Sequence, residues 1–242
     1  MSERSKSLQV YDRPEFAERF RRSGGFAPER KERMLEVARE LLLVLAPKQS
    51  RLLELGAGTG DFTRKIVASK RFDEIVVTDG AAAMLDVATE RLAGAHPALR
   101  FEVVDFNGQW AGRYGMTCFD AVVSTLALHH TVEKRPLFRQ VFEVLKPGGI
   151  FVLGDHMAAA TRIGRYLIGR DRALERLKRP DVVATSLLEE VMELDRQRQF
   201  DEGNHCEPVS VYLATLVESG FEEVECLWQD FWMAVFVALK PQ

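Results

Sequence analysis

Cysteine is scarce in this 242-residue chain: Cys118, Cys206 and Cys226 are odd in number and show no Cys-x-x-Cys spacing. That excludes a disulfide framework and a zinc knuckle and points to a reducing compartment, the cytoplasm. Long apolar runs are also missing. The longest, 41–46 and 232–239, fall far short of the ~20 residues a membrane helix needs, so no membrane partner is expected. No apolar stretch follows the charged start at 1–6, so no secretory signal is expected. Neither sign of charge dominates. The 33 Lys+Arg and 36 Asp+Glu leave a formal −3, which argues against a DNA binder with its basic excess. Repeats and low-complexity tracts are absent. What is there, 46% apolar and 29% charged residues, suits one large domain or a domain with an inserted cap.

The chain opens with helical patterns. A short amphipathic stretch spans 14–22, Gly24-Gly25 breaks it, and Pro28 begins an apolar stripe that Pro47 stops. Short apolar segments then alternate with helical ones: strands at 51–55, 74–78, 99–104, 121–124 and 150–153, helices at 61–69, 82–92 and 134–145. Continuous rather than alternating apolar strands predict a sheet covered on both faces, hence a parallel, doubly wound α/β fold. After the fifth strand the rhythm changes. Residues 158–180 carry seven Arg/Lys and two acids, and 181–208 carry two Arg and eight acids, so two helices of opposite sign are expected to pair. A helix at 210–219 and a hairpin of 221–228 with 231–239, joined at Gln229-Asp230, close the chain with an antiparallel strand.

The strongest local signal is Leu52-Leu53-Glu54-Leu55-Gly56-Ala57-Gly58-Thr59-Gly60-Asp61. An apolar strand runs into a glycine loop and then a helix. Glycines allow the sharp turn and let a ligand approach backbone N–H groups. The third position of a dinucleotide fingerprint is here Asp61, whose charge opposes a pyrophosphate, and no Gly-Lys-Ser/Thr of a P-loop follows. An adenosine without phosphates fits instead. Asp79, at the end of the second strand, is placed to accept from ribose hydroxyls, with Gly80 beside it; an N-cap role for the following helix is the alternative. Asp105, ending the third strand before Phe106, is placed to read an adenine amine or to serve as a loop acid. Met84 supplies an apolar wall for the base.

These residues resemble the class I S-adenosylmethionine-dependent methyltransferases. The match runs through Glu-x-Gly-x-Gly-x-Gly at 54–60, Asp79, Asp105, Phe119-Asp120-Ala121-Val122 and Leu145-Lys146-Pro147-Gly148-Gly149. Ala127-Leu128-His129-His130 is similar to the ubiquinone/menaquinone-biosynthesis type. The resemblance implies a Rossmann-like seven-stranded sheet of order 3-2-1-4-5-7-6, strand 7 antiparallel, with a helical lid at 1–47, a core at 48–157 and 208–242, and a cap at 158–207. It implies S-adenosylmethionine as cofactor, held by Glu54, Gly56, Ala57, Gly58, Asp79, Gly80, Met84, Asp105 and Phe106.

Methyl transfer needs alignment, exclusion of water and, for some acceptors, a base. The candidate catalytic residues are His129 and His130 after the fourth strand and His156 after the fifth, with structural roles as the alternative. Asp155 cannot pair with its neighbour His156, because adjacent strand residues face opposite ways. His205-Cys206-Glu207 lacks metal-ligand spacing, so no metal is expected and a closing loop is the preferred reading. Arg162 or Arg165 is a candidate contact for a substrate carboxylate or phosphate, and Trp228, Phe231 and Trp232 fit hairpin packing. The expected activity is methylation of a small-molecule acceptor, with a homodimer as the expected assembly. The alternatives are an enzyme resembling the carboxy-S-adenosylmethionine synthases of transfer-RNA modification, and an RNA or protein methyltransferase.

Overall fold

A computed structural model describes residues 5–23, 25–96, 98–179 and 187–242. Its strands are β1 Ser50–Leu55, β2 Phe72–Asp79, β3 Leu99–Val103, β4 Phe119–Thr125, β5 Leu145–His156, β6 Glu222–Asp230 and β7 Met233–Leu239. They form one sheet in the order β3-β2-β1-β4-β5-β7-β6. The pairings from β3 to β5 are parallel, and β7 runs antiparallel to both β5 and β6. The order that the resemblance implies is the order found.

Period-two alternation explains why the strands read as unbroken apolar runs. Leu53, Leu55, Val122, Phe151 and Leu153 point to one face, and Leu52, Ala121, Val123, Ile150 and Val152 to the other. Both faces are covered. Helices α3 (Pro28–Leu45), α4 (Asp61–Val67) and α5 (Ala82–Arg91) cover one, and α6 (Lys134–Val144) and α9 (Val209–Glu218) cover the other. Met34, Leu35, Ala38 and Leu42 of α3 are all buried against the sheet, so this helix belongs to the core. Truncating a side chain such as Leu42 to alanine there costs roughly 2–5 kcal/mol.

Two departures from the sequence reading stand out. The hairpin turns at Phe231-Trp232 rather than Gln229-Asp230, since Gln229 pairs with Ala234 and Asp230 with Met233. Phe231 takes the left-handed backbone, φ 49°, and burial of Trp232 fixes the turn without a glycine or asparagine to announce it. Strand β5 also begins earlier, because Leu145 pairs with Phe119 ahead of the Pro-Gly-Gly stretch.

The chain order reverses between β1 and β4, and the carboxyl ends of these strands splay to leave a crevice. Helices α1 (Lys6–Tyr11) and α2 (Pro14–Ser23) lie beside it, with α2 packed on α5. Gly24 of the expected helix break lies outside the described residues. In the cap, α7 (Arg162–Leu177) packs on α8 (Leu188–Asp201), and the expected pairing of opposite charges is seen between Arg172 and Asp195. The expected junction of the two cap helices, at 180–181, lies outside the described residues. No described helix is long and apolar enough to cross a membrane.

Candidate active site

The crevice begins at the glycine loop. Gly56 leaves β1 at φ 74°, and a Cβ there would sit 2.0 Å from the Cβ of Ala127. Only glycine fits. Gly58, at φ 55°, is held for a different reason, since nothing lies within 4 Å of where its Cβ would be. Its amide donates to Asp79 Oδ2 at 2.8 Å, and the amide of Ala81 donates to Asp79 Oδ1 at 2.8 Å. Asp79 therefore ties the loop to the start of α5. Burial raises its carboxyl above the usual range, against the pull of these amides.

Of the residues expected to hold a cofactor, Gly56, Gly58, Asp79, Gly80, Met84, Asp105 and Phe106 line the crevice. Asp105 sits exposed on its rim, where Oδ1 accepts from the Asn107 amide at 3.0 Å, so the loop role and the rim position coexist. Glu54 and Ala57 are not on the crevice wall. The Ala57 amide is used in the turn, donating to the Thr78 carbonyl at 2.9 Å. Glu54 points beneath the loop toward α4, where Oε2 accepts from the Thr63 hydroxyl at 2.7 Å. Its Oε1 is buried without a partner, and burial pushes the carboxyl up to about 7.

The sequence reading placed a lid in 1–47 without marking the short helix that lines the crevice. Ser7, Leu8 and Tyr11 of α1 line it, and a Cβ on Gly80 would meet Leu8 Cδ2 at 2.7 Å. Asp12, just past α1, accepts from the Ala83 amide at 2.9 Å and pins the helix in place. Six residues are too few for a helical period to announce itself.

A second chamber of about 220 Å³ adjoins the crevice, and Tyr11, Phe20 and Leu126 border both. Leu126 adopts φ 54° at the end of β4, a left-handed conformation that costs a residue other than glycine about 1–2 kcal/mol. Its amide donates to the Gly154 carbonyl at 2.8 Å, holding the strand tip in that shape.

The three expected histidines converge here but differ in environment. His129 and His156 line the second chamber, whereas His130 lines the crevice with its ring 5.0 Å from that of Tyr11. His129 Nδ1 lies 2.5 Å from Asp155 Oδ1, and both side chains are buried. Asp155 Oδ1 also accepts from the His156 amide at 2.8 Å. As expected, then, Asp155 does not bind the neighbouring imidazole; it reaches across to β4's end instead. A proton held on Nδ1 by the carboxylate leaves Nε2 of His129 as the basic nitrogen. Burial holds His130 and His156 well below the ordinary histidine range, and the nearby His129 adds to the effect.

Among the described residues no group of three or more His, Cys, Asp or Glu is placed to hold a metal ion. The His205 amide donates to the His129 carbonyl at 2.6 Å, so this loop braces the histidines. Burial pushes the Cys206 thiol up to about 12. Arg162 and Arg165 are exposed, and Arg165 donates to the Ala160 carbonyl at 3.0 Å. The α7 guanidiniums that line the second chamber are Arg172 and Arg176, from the other half of the helix. Trp232 is buried in hairpin packing and donates to Asp171 Oδ2 at 3.0 Å.

The family described as a methyltransferase domain matches residues 53–151, the segment from β1 to β5 that carries the loop, Asp79, Asp105 and His129. Residues 53–151 are thus similar to a methyltransferase domain. The chain is 30% identical over 117 residues to the uncharacterized methyltransferase OB1106 of Oceanobacillus iheyensis, covering 47% of this chain and 50% of that protein. It is 28% identical over 123 residues to fumosorinone synthetase of Cordyceps fumosorosea, covering 49% of this chain and 3% of that one. The chain thus spans half or less of the length of these curated relatives. In fold, the chain is similar to phosphoethanolamine N-methyltransferase 2 of Haemonchus contortus, with a TM-score of 0.71 at 14% identity over 100% of this chain and 62% of that one.

Proposed function

We propose that the protein transfers a methyl group from S-adenosylmethionine to a small molecule held in the second chamber, with His129 as general base. The observation that carries this reading is the pair of adjoining chambers, one built on the glycine loop and the other walled by His129, sharing Tyr11, Phe20 and Leu126.

The residues present fit the cofactor. Gly56, Gly58, Asp79 and Met84 line the crevice, and the open space beside Gly58 suits close approach to the backbone. Gly56 and Gly58 would flank the amino-acid portion, Asp79 the ribose and Asp105 the adenine amine, with Met84 and Phe106 as apolar walls. When bound, the cofactor supplies a methyl group already activated for in-line displacement by its sulfonium.

The chain's own work is then positioning, desolvation and proton removal. Asp155 orients His129 so that Nε2 can take the proton of an acceptor hydroxyl or acidic carbon. His130 and His156, held neutral by burial, pack against that imidazole at ring distances of 4.0 and 4.5 Å. Helices α1 and α2 and the cap act as a lid, which suits a buried small acceptor better than a polymer. The free Cys118, Cys206 and Cys226 fit the cytoplasm as the proposed location.

The test is transfer of labelled methyl from S-adenosylmethionine into a fractionated metabolite extract. Label in a small-molecule fraction supports the reading; label only in RNA or protein overturns it. Mass spectrometry of the co-purifying ligand should show the cofactor or its demethylated product, and a carboxylated derivative would favour the synthase alternative.

A further inference from the structure

Six cations line the second chamber: Arg19, Lys31, Arg172, Arg176, Arg179 and Arg198. Glu202 is the one acid lining it among the described residues. Among them, Lys31 donates to Asp61 at 2.7 Å, an acid that also accepts from Arg91 at 3.0 Å, and Arg198 donates to Glu202 at 2.9 Å. Arg172 and Arg176 are the more deeply buried pair. Both donate to a single acid, Asp195, with Arg172 at 2.8 Å, and all three residues are at least nine-tenths buried. Two guanidiniums against one carboxylate leave a unit of positive charge largely withdrawn from water, an arrangement that costs free energy until an anion arrives. Burial lowers Arg176 below the usual arginine range even with Asp195 beside it.

The surroundings favour a ligand over another salt bridge. Arg172 lies over the Trp232 ring at 4.5 Å and Arg176 over Phe26 at 4.6 Å. With their faces on aromatic rings, guanidiniums present their N–H edges for bidentate bonds. Asn204 Oδ1 and His156 Nδ1, from two more residues of the chamber, are buried without partners. The end shared with the crevice is apolar, made by Tyr11, Phe20 and Leu126.

We infer that the acceptor carries an oxyanion, a carboxylate or a phosphate, gripped by Arg172 and Arg176, with an apolar body directed toward Leu126 and His129. This rests on the reading of the second chamber as the acceptor site. Calorimetric titration of the protein loaded with S-adenosylhomocysteine tests it with benzoate, phenyl phosphate and neutral benzyl alcohol as probes. At least one anion should bind tenfold or more tightly than the alcohol, and which one binds better distinguishes carboxylate from phosphate. Arg176→Gln should weaken that anion at least tenfold with S-adenosylhomocysteine affinity unchanged. Asp195→Asn, which frees both guanidiniums, should strengthen it. Equal binding of anions and alcohol, or anion binding indifferent to both substitutions, overturns the inference. Failure of S-adenosylhomocysteine to bind while the anion still does overturns the methyl-transfer reading instead.

Discussion

His129 and Asp155 meet across the boundary between β4 and β5, imidazole Nδ1 to carboxylate Oδ1 at 2.5 Å, both buried. The contact fixes the ring's tautomer and aims its other nitrogen. His129→Gln should lower the rate of methyl transfer by about 10²–10⁴-fold, the range of general-base catalysis. Asp155→Asn should lower it in the same sense, and neither should change S-adenosylhomocysteine affinity measured by calorimetry. Full activity in both variants would remove His129 from the chemistry.

Asp79 is the hub of the crevice, taking amide hydrogen bonds from Gly58 and Ala81. Hydrogen bonds to a charged group are worth about 1.5–3 kcal/mol each. Asp79→Ala should therefore weaken S-adenosylhomocysteine binding by roughly 10–100-fold. Binding at the wild-type level would refute the ribose assignment.

The two loop glycines should part company when changed. Gly56→Ala forces its Cβ into Ala127 and should destabilise folding by roughly 1–3 kcal/mol, read from the denaturation midpoint. Gly58→Ala meets no protein atom, so its folding cost should be only about 1 kcal/mol from the left-handed backbone. It should nonetheless impair S-adenosylhomocysteine binding, because the new methyl group occupies space left for the ligand.

Glu54 keeps its proton up to about 7 when folded, against 4.5 for an ordinary glutamate. Its contribution to stability is thus full below the unfolded value and is lost as pH rises through the folded one. Glu54→Gln should make the ligand-free protein more stable at pH 8, by roughly 3 kcal/mol at most, with the gain vanishing near pH 4.5. A gain that grew toward acid pH would reverse the assignment.

His130 and His156 work in the opposite direction. Burial depresses both below 6.5, so the unfolded chain takes up protons that the folded chain refuses. Their contribution is present above pH 6.5 and declines as pH falls from there toward the depressed folded values. Urea midpoints of His156→Gln should fall less between pH 7 and pH 5.5 than those of the wild type. An identical slope would argue that this imidazole titrates freely.

The sheet order and the crevice at the glycine loop were legible because their signals are local. A glycine loop and an acid at a strand end each announce a backbone requirement within a few residues. The partnership of His129 with Asp155 spans 26 positions and depends on which way two strand ends face. The sequence offered three histidines as candidate bases, and only their packing separates one with a carboxylate partner from two held neutral. Arg162 and Arg165, offered from the sequence as contacts for a substrate anion, are exposed, and helical spacing does not reveal that Arg172 and Arg176 are the α7 arginines lining the chamber. Glu54 was assigned to the crevice from its motif, yet strand alternation turns it under the loop to Thr63. Leu126 and Phe231, both with left-handed backbones, carry no composition cue at all.

Helix α1 borders the two chambers at once through Tyr11, and it is fastened to α5 by Asp12. On the proposed reading, admission of one reactant and departure of the other share this single fastening. A substitution at Asp12 should then alter donor exchange and acceptor residence together.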